Sequence, residues 1–333
     1  MKKNSSKLNA KNPKSRINTA KNKNKPKIKL IKTKTIKIGD TIKSINFFKN
    51  LNFLVLTDKE YRIYSPKFDL IKKYALKYKI REIKIIDDEN FRCLYNNAQY
   101  INMNIKNNKI EKIINFGRDD IKYIKYYKKN IIAINNDNTI FIWEYIKKNK
   151  YQFITKIELG YFDKEISVFE QYDILIQCCD YNLFIYNLKR NKIDLISKDL
   201  IFDEAMPFYE NNILFLNGGF EGNECYFTDL SVYNIKEKKI TKKKKLDFYF
   251  YVAIANATDL IKYYNKKDVI ILCGGKNNVY NRIYIYDRDF NLVQTLEKAH
   301  YGNILGLTIY ERTTNDLILS YSEDGEINFY SIN

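Results

Sequence analysis

Only one histidine and one tryptophan occur among the 333 residues, and no apolar run approaches the length of a membrane-spanning helix. The N-terminus lacks the apolar stretch of a secretory signal. Five cysteines (Cys93, Cys178, Cys179, Cys225 and Cys273) form no CxxC pair and are odd in number. That pattern supports neither a zinc site nor a disulfide frame, and reads as buried thiols in a reducing, intracellular compartment. With a single histidine, any imidazole chemistry must use His300. Neither a P-loop nor an HExxH segment is present. Acidic residues are missing altogether from residues 1–39, which hold fourteen Lys or Arg.

The rest of the chain carries 44 basic and 39 acidic residues, so +14 of the net +19 lies in the tail and +5 in the body. Lys, Asn, Ile, Tyr and Phe are all abundant, and all five can be encoded by A/T-only codons, so the position of charge says more than its amount. The arm over residues 1–27 holds Lys2, Lys3, Lys7, Lys11, Lys14, Arg16, Lys21, Lys23, Lys25 and Lys27 among polar residues. Such a segment cannot bury enough apolar surface to order itself and is expected to be disordered. It reads either as a solvated consequence of codon bias or as an arm that contacts RNA or DNA or serves as an address. A total absence of acids favours the second reading, while the lack of aromatics gives no support for base stacking. Nuclear and cytoplasmic locations are both expected, and a mitochondrial one stays open.

The only tryptophan closes the stretch "NNDNTIFIW". Asn135, Asn136, Asp137 and Asn138 are turn formers, and Thr139 to Tyr145 is mostly β-branched or aromatic, so a tight turn feeds a strand. The pattern of an Asp followed six residues later by an aromatic recurs. Asp58 leads to Tyr64, Asp137 to Trp143, Asp180 to Tyr186 and Asp324 to Tyr330, with weaker copies ending at Met103, Tyr233 and Tyr286. These seven end positions are separated by 39, 40, 43, 47, 53 and 44 residues.

Each unit carries further apolar runs, such as "LNFLVL" before the turn, "SINFF" or "AIANA" ahead of that, and "IEKIINF" after the aromatic. Four short strands per unit at this period predict an all-β, seven-bladed β-propeller over residues 28–333. The last unit has only three strands, and "KLIKTKTIKI" (29–38) has no strand of its own to pair with. Residues 28–39 are therefore expected to close the ring as the outer strand of the last blade, sparing it an open edge.

The final unit, "AHYGNILGLTIYERTTNDLILSYSEDGEINFYSI", resembles the WD40-repeat family. The resemblance implies that His300, Ser320, Asp324 and Tyr330 form a buried hydrogen-bonded tetrad, and that Asp137 and Trp143 are the matching pair of another blade. Six blades lack the histidine. "FLNGGF" (215–220) and "LCGGK" (272–276) are instead similar to the double glycine of kelch repeats, which leaves a kelch-like or mixed ring as the alternative.

Nothing in the pattern singles out a catalytic residue, cofactor or metal. The recurrent Asp58, Asp137, Asp180 and Asp324 occupy turns, where carboxylates satisfy backbone amides. The lysine run at 236–246 falls where an outer strand is expected and suits an exposed edge, though it also resembles a nuclear signal. The expected function is that of a non-enzymatic scaffold binding other proteins through loops and rims. The alternative is a ribonucleoprotein or chromatin component whose arm touches nucleic acid. No membrane contact is expected.

Overall fold

A computed structural model describes residues 28–95, 99–116, 121–135, 137, 139–147, 150–158, 167–179, 182–190, 192–197, 201–221, 224–251, 260–276, 279–312 and 315–333. β-branched and aromatic runs form strands, and Asn- and Asp-rich segments form the turns between them. Four antiparallel strands make each of seven blades, at 42–75, 80–115, 121–158, 167–197, 201–251, 261–296 and 304–332. The blades stand in a ring, as a seven-bladed β-propeller. Among the described residues no helix is long and apolar enough to cross a membrane.

The closing strand is Leu30–Lys37. It pairs antiparallel with Glu326–Ile332, from Leu30 opposite Ile332 to Lys37 opposite Glu326. Beyond it, the Gln294 side chain of blade 6 holds both main-chain groups of Leu30, accepting from its N–H at 2.8 Å and donating to its carbonyl at 3.3 Å. Lysines at 32, 34 and 37 point to solvent on this outermost edge.

Apolar side chains do not form one central core. They form seven clusters, one between each pair of neighbouring blades. Blades 1 and 2, for example, share Leu54, Leu56, Tyr61 and Ile63 with Phe91, Cys93, Ile101 and Met103. The repeated aromatic sits in these boundaries. Tyr64, Tyr186, Tyr233, Tyr286 and Tyr330 are all buried, and Trp143 is half-buried.

Among the described residues, polar links cross four of the seven boundaries by one device, a tyrosine hydroxyl that reaches the turn between the first two strands of the next blade. Tyr127 donates to Asp173 at 2.6 Å, Tyr172 to the Glu210 carbonyl at 2.7 Å and Tyr264 to Asp316 at 2.7 Å, and Tyr310 donates to the Leu51 carbonyl. Lys128 and Lys266 pair with the same two aspartates. Several of these turns place non-glycine residues in the left-handed region, including Leu51, Lys128, Asp173, Glu210 and Asp268.

Two expected strands differ. "AIANA" was expected to supply the inner strand of blade 6, but that strand is Ile261–Tyr264, and residues 252–259 lie outside the described residues. The outer strand of blade 5 runs thirteen residues, Lys239–Tyr251, well past the lysine run. Its far end bridges to blade 6 through Tyr249 and Gly275, which joins the two blades into one sheet. A glycine leaves room for such a close strand approach.

Candidate functional site

Among the described residues, blade 7 gathers four buried polar side chains, His300, Ser320, Ser322 and Asn328. His300 precedes the inner strand Ile304–Tyr310, Ser320 lies in Leu317–Ser322, and Asp324 sits in the turn before Glu326–Ile332. Apolar neighbours on both sides bury His300 to 3 % exposure and Ser320 to 0 %. His300 Nε2 lies 2.7 Å from Ser320 Oγ, and Nδ1 lies 3.2 Å from Asp324 Oδ2. A carboxylate can only accept. The arrangement therefore puts the proton on Nδ1, and Ser320 donates to Nε2.

Asp324 also organises main chain. Its Oδ2 accepts from the N–H groups of Tyr301 at 3.1 Å and Gly302 at 3.4 Å, and its Oδ1 accepts from Glu326 at 2.9 Å. A Cβ at Gly302 would sit 3.0 Å from the Asp324 nitrogen, so any larger residue would have to push this turn aside. Burial alone would raise the Asp324 carboxyl. The His300 hydrogen bond and the N–H groups of Glu326 and Gly302 outweigh it and hold the group well below the usual carboxylate range. Burial pushes the Tyr330 phenol up to about 12, and its hydroxyl donates to the Ala299 carbonyl at 3.3 Å.

Asn328 and Thr35 complete the set and were not singled out from sequence. The Asn328 amide donates to the Ala299 carbonyl at 2.8 Å and touches the imidazole, and its oxygen accepts from Thr35 Oγ1 at 2.6 Å. The closing strand is thus tied to the histidine through two side chains. The available signal was an Asn in the strand "EINFYSI", between residues expected to be buried.

Ser320, His300 and Asp324 stand in the order of a hydrolase triad. Seated in the core, the serine hydroxyl offers no approach for a substrate carbonyl. A metal fares no better. His300, Asp324 and Glu326 present ligand atoms within 4.8 Å of one another, but both imidazole nitrogens are engaged, and Glu326 pairs with Lys37 at 3.2 Å. What this set can do chemically is hold the entry to blade 7 in one conformation.

The other turn residues are not alike. Asp58 pairs with Lys43 at 3.2 Å and Lys79 at 3.1 Å, while Thr57 Oγ1 accepts from the N–H groups of Lys59 and Glu60. The expectation that an aspartate caps backbone amides thus fails at 58, where the preceding threonine does so. Asp137 is exposed, with its Oδ2 3.4 Å from the Asn135 amide nitrogen. Asp180 lies outside the described residues, as do Lys2, Lys3, Lys7, Lys11, Lys14, Arg16, Lys21, Lys23, Lys25 and Lys27. Tyr64 stacks on Phe53 at 5.2 Å, and Trp143 meets Phe116 and Phe153 edge to face.

The fold and these contacts define a seven-bladed propeller with a single fully hydrogen-bonded histidine set. No protein-family model matches the chain, and no curated protein matches it.

Proposed function

We propose that this protein is a non-enzymatic, WD40-like scaffold that binds other proteins through its loops and blade rims. The observation that carries the reading is the burial of Ser320 and His300 beside the part-buried Asp324, with their hydrogen-bonding capacity spent on one another and on main chain. The grouping most like a catalytic one is committed to structure, and propellers commonly serve as interaction platforms. Cross-linking in cells followed by mapping of linked peptides tests this. Partner cross-links clustered on loops of one face are expected. A hydrolase activity that Ser320→Ala abolishes without lowering the melting temperature would overturn the reading.

A second reading, that the basic arm contacts RNA or DNA, is favoured by where the arm leaves the ring. Lys29 pairs its main chain with Asn333, on the face that carries the turns between first and second and between third and fourth strands. Lys129, Lys189, Arg190, Lys236 and Lys267 are exposed on that same face. With about five to eight phosphate contacts, log K against log salt should fall with a slope of roughly −4 to −7 on duplex DNA. Deleting residues 1–27 should remove most of that affinity, and identical weak titrations for both proteins would dismiss this reading.

A further inference from the structure

Seven blades provide an internal comparison. On the side facing the next blade, one residue of the second strand lies directly opposite one residue of the third, just before the repeated aromatic. Five blades place two apolar residues there: Leu54–Ile63, Ile132–Ile142, Leu214–Val232, Ile271–Ile285 and Leu319–Phe329. Blade 2 places Arg92 opposite Asn102. Codon bias does not account for an arginine at a position that five sister repeats reserve for apolar residues at the blade boundary. A polar pair here forgoes apolar burial, and such local breaches of an otherwise consistent pattern mark functional positions.

The pair lines a cleft of about 360 Å³, at the small end of ligand sites. Several groups around it are already spent. Asn104 donates to Asn90 at 3.1 Å, as Asn234 does to Asn212 in blade 5, so that pair is part of the repeat. The Asp87 carboxylate accepts from the main chain of Glu89 and Asn90 and from the Asn90 amide. Arg92 donates to the Tyr151 hydroxyl of blade 3 at 2.7 Å, which fixes the guanidinium between the two blades. The Asn102 amide and the exposed Lys109 ammonium have no partner among the described residues.

We propose that this cleft binds a short extended segment of another protein that carries an Asp or Glu side chain. The carboxylate meets Lys109 and Arg92, and the Asn102 amide pairs with a main-chain peptide group, donating to its carbonyl and accepting from its N–H. Same-side residues on a strand are about 6.8 Å apart, a spacing shared by the cleft wall and an extended ligand. The wall is balanced, with Arg92 and Lys109 against Asp87 and Glu111, and the Asp87 carboxylate is already spent on Glu89 and Asn90, so the wall's one ammonium without a partner among the described residues suits a single carboxylate better than a run of phosphates. The proposal rests on the scaffold reading and assigns it a site and a ligand chemistry.

The test is selection from random peptides displayed on phage, against the full chain, Lys109→Glu and the double variant Arg92→Leu/Asn102→Ile. Acid-containing peptides are expected on the parent, with binding at least about tenfold weaker for both variants, or about 1.4 kcal/mol. Peptides that bind all three proteins equally would overturn the cleft while sparing the scaffold. Absence of any enriched peptide on the parent would also overturn it. If the double variant does not fold, Lys109→Glu, which changes only an exposed side chain, carries the decision.

Discussion

Blades 2 and 7 share one register and place their polar side chains differently. Blade 7 takes a histidine, a serine and an asparagine into its core and holds a part-buried aspartate at the turn beside them, and each finds a partner. Blade 2 sets Arg92 and Asn102 at the boundary with blade 3, where the Asn102 amide has no partner among the described residues. A buried polar network whose members are all satisfied rigidifies and specifies one arrangement. An amide at a boundary with no protein partner leaves hydrogen-bonding capacity for something else. The same repeat thus yields a clasp in one place and an open cleft in another.

The sharpest way to break the comparison is to remove the clasp's outer strand. Deleting residues 28–39 should abolish a single cooperative thermal transition, whereas deleting 1–27 should leave the melting temperature within about 4 °C, roughly 1 kcal/mol. Equal stability of the two truncations would refute closure by that strand.

Writing blade 2's polar pair into blade 1 comes next. Leu54→Arg/Ile63→Asn should cost about 4 kcal/mol or more, because both positions are fully buried and no partner is waiting. A small cost in chemical denaturation would mean that blade boundaries accept polar pairs freely and that blade 2 is unexceptional.

Within the clasp, His300→Ala or Asp324→Ala should each cost about 1–3 kcal/mol by leaving a buried partner unsatisfied. Asp324 also sets a pH dependence. Its folded carboxyl is held low, so its contribution is present above the unfolded value near pH ~3.9 and is lost as pH falls below it. The stability gap between the parent and Asp324→Asn should therefore narrow as pH is lowered from about 5 toward 2. A gap that widens would contradict the hydrogen-bonding assignment.

The smallest effect expected is at Lys298, whose φ of 61° lies in the left-handed region. Lys298→Gly should stabilise by at most about 1 kcal/mol, and a clear loss in urea titrations would show that the lysine side chain holds this turn.

Blade count and ring closure were legible because each unit repeats a turn, a strand and an aromatic, and "KLIKTKTIKI" alternates with no strand of its own to pair with. His300, Ser320 and Asp324 were legible through one well-formed unit. Asn328 and Thr35 were not, because a buried asparagine and a solvent-edge threonine carry no local mark until strand register sets them 2.6 Å apart. Asp58 misled for a related reason. A turn aspartate can accept from amides or from lysines, and only tertiary placement brings Lys43 and Lys79 to it. The join between blades 5 and 6 was hidden as well, since one bridge at Gly275 has no periodic signature.

The pairing of Leu30–Lys37 with Glu326–Ile332 also orders events in time. Thr35 and Asn328 are 293 residues apart, so the closing strand waits for all the intervening blades to be synthesised before its partner exists. Contacts of such long sequence separation slow folding, and an unpaired strand is an invitation to wrong pairing meanwhile. The alternation of lysine along "LIKTKTIK" gives the waiting segment its own protection, because two such strands side by side would oppose like charges. A nascent chain would therefore carry this segment harmlessly until the last hairpin emerges, and the lysines that edge the finished ring would have served first as its chaperone.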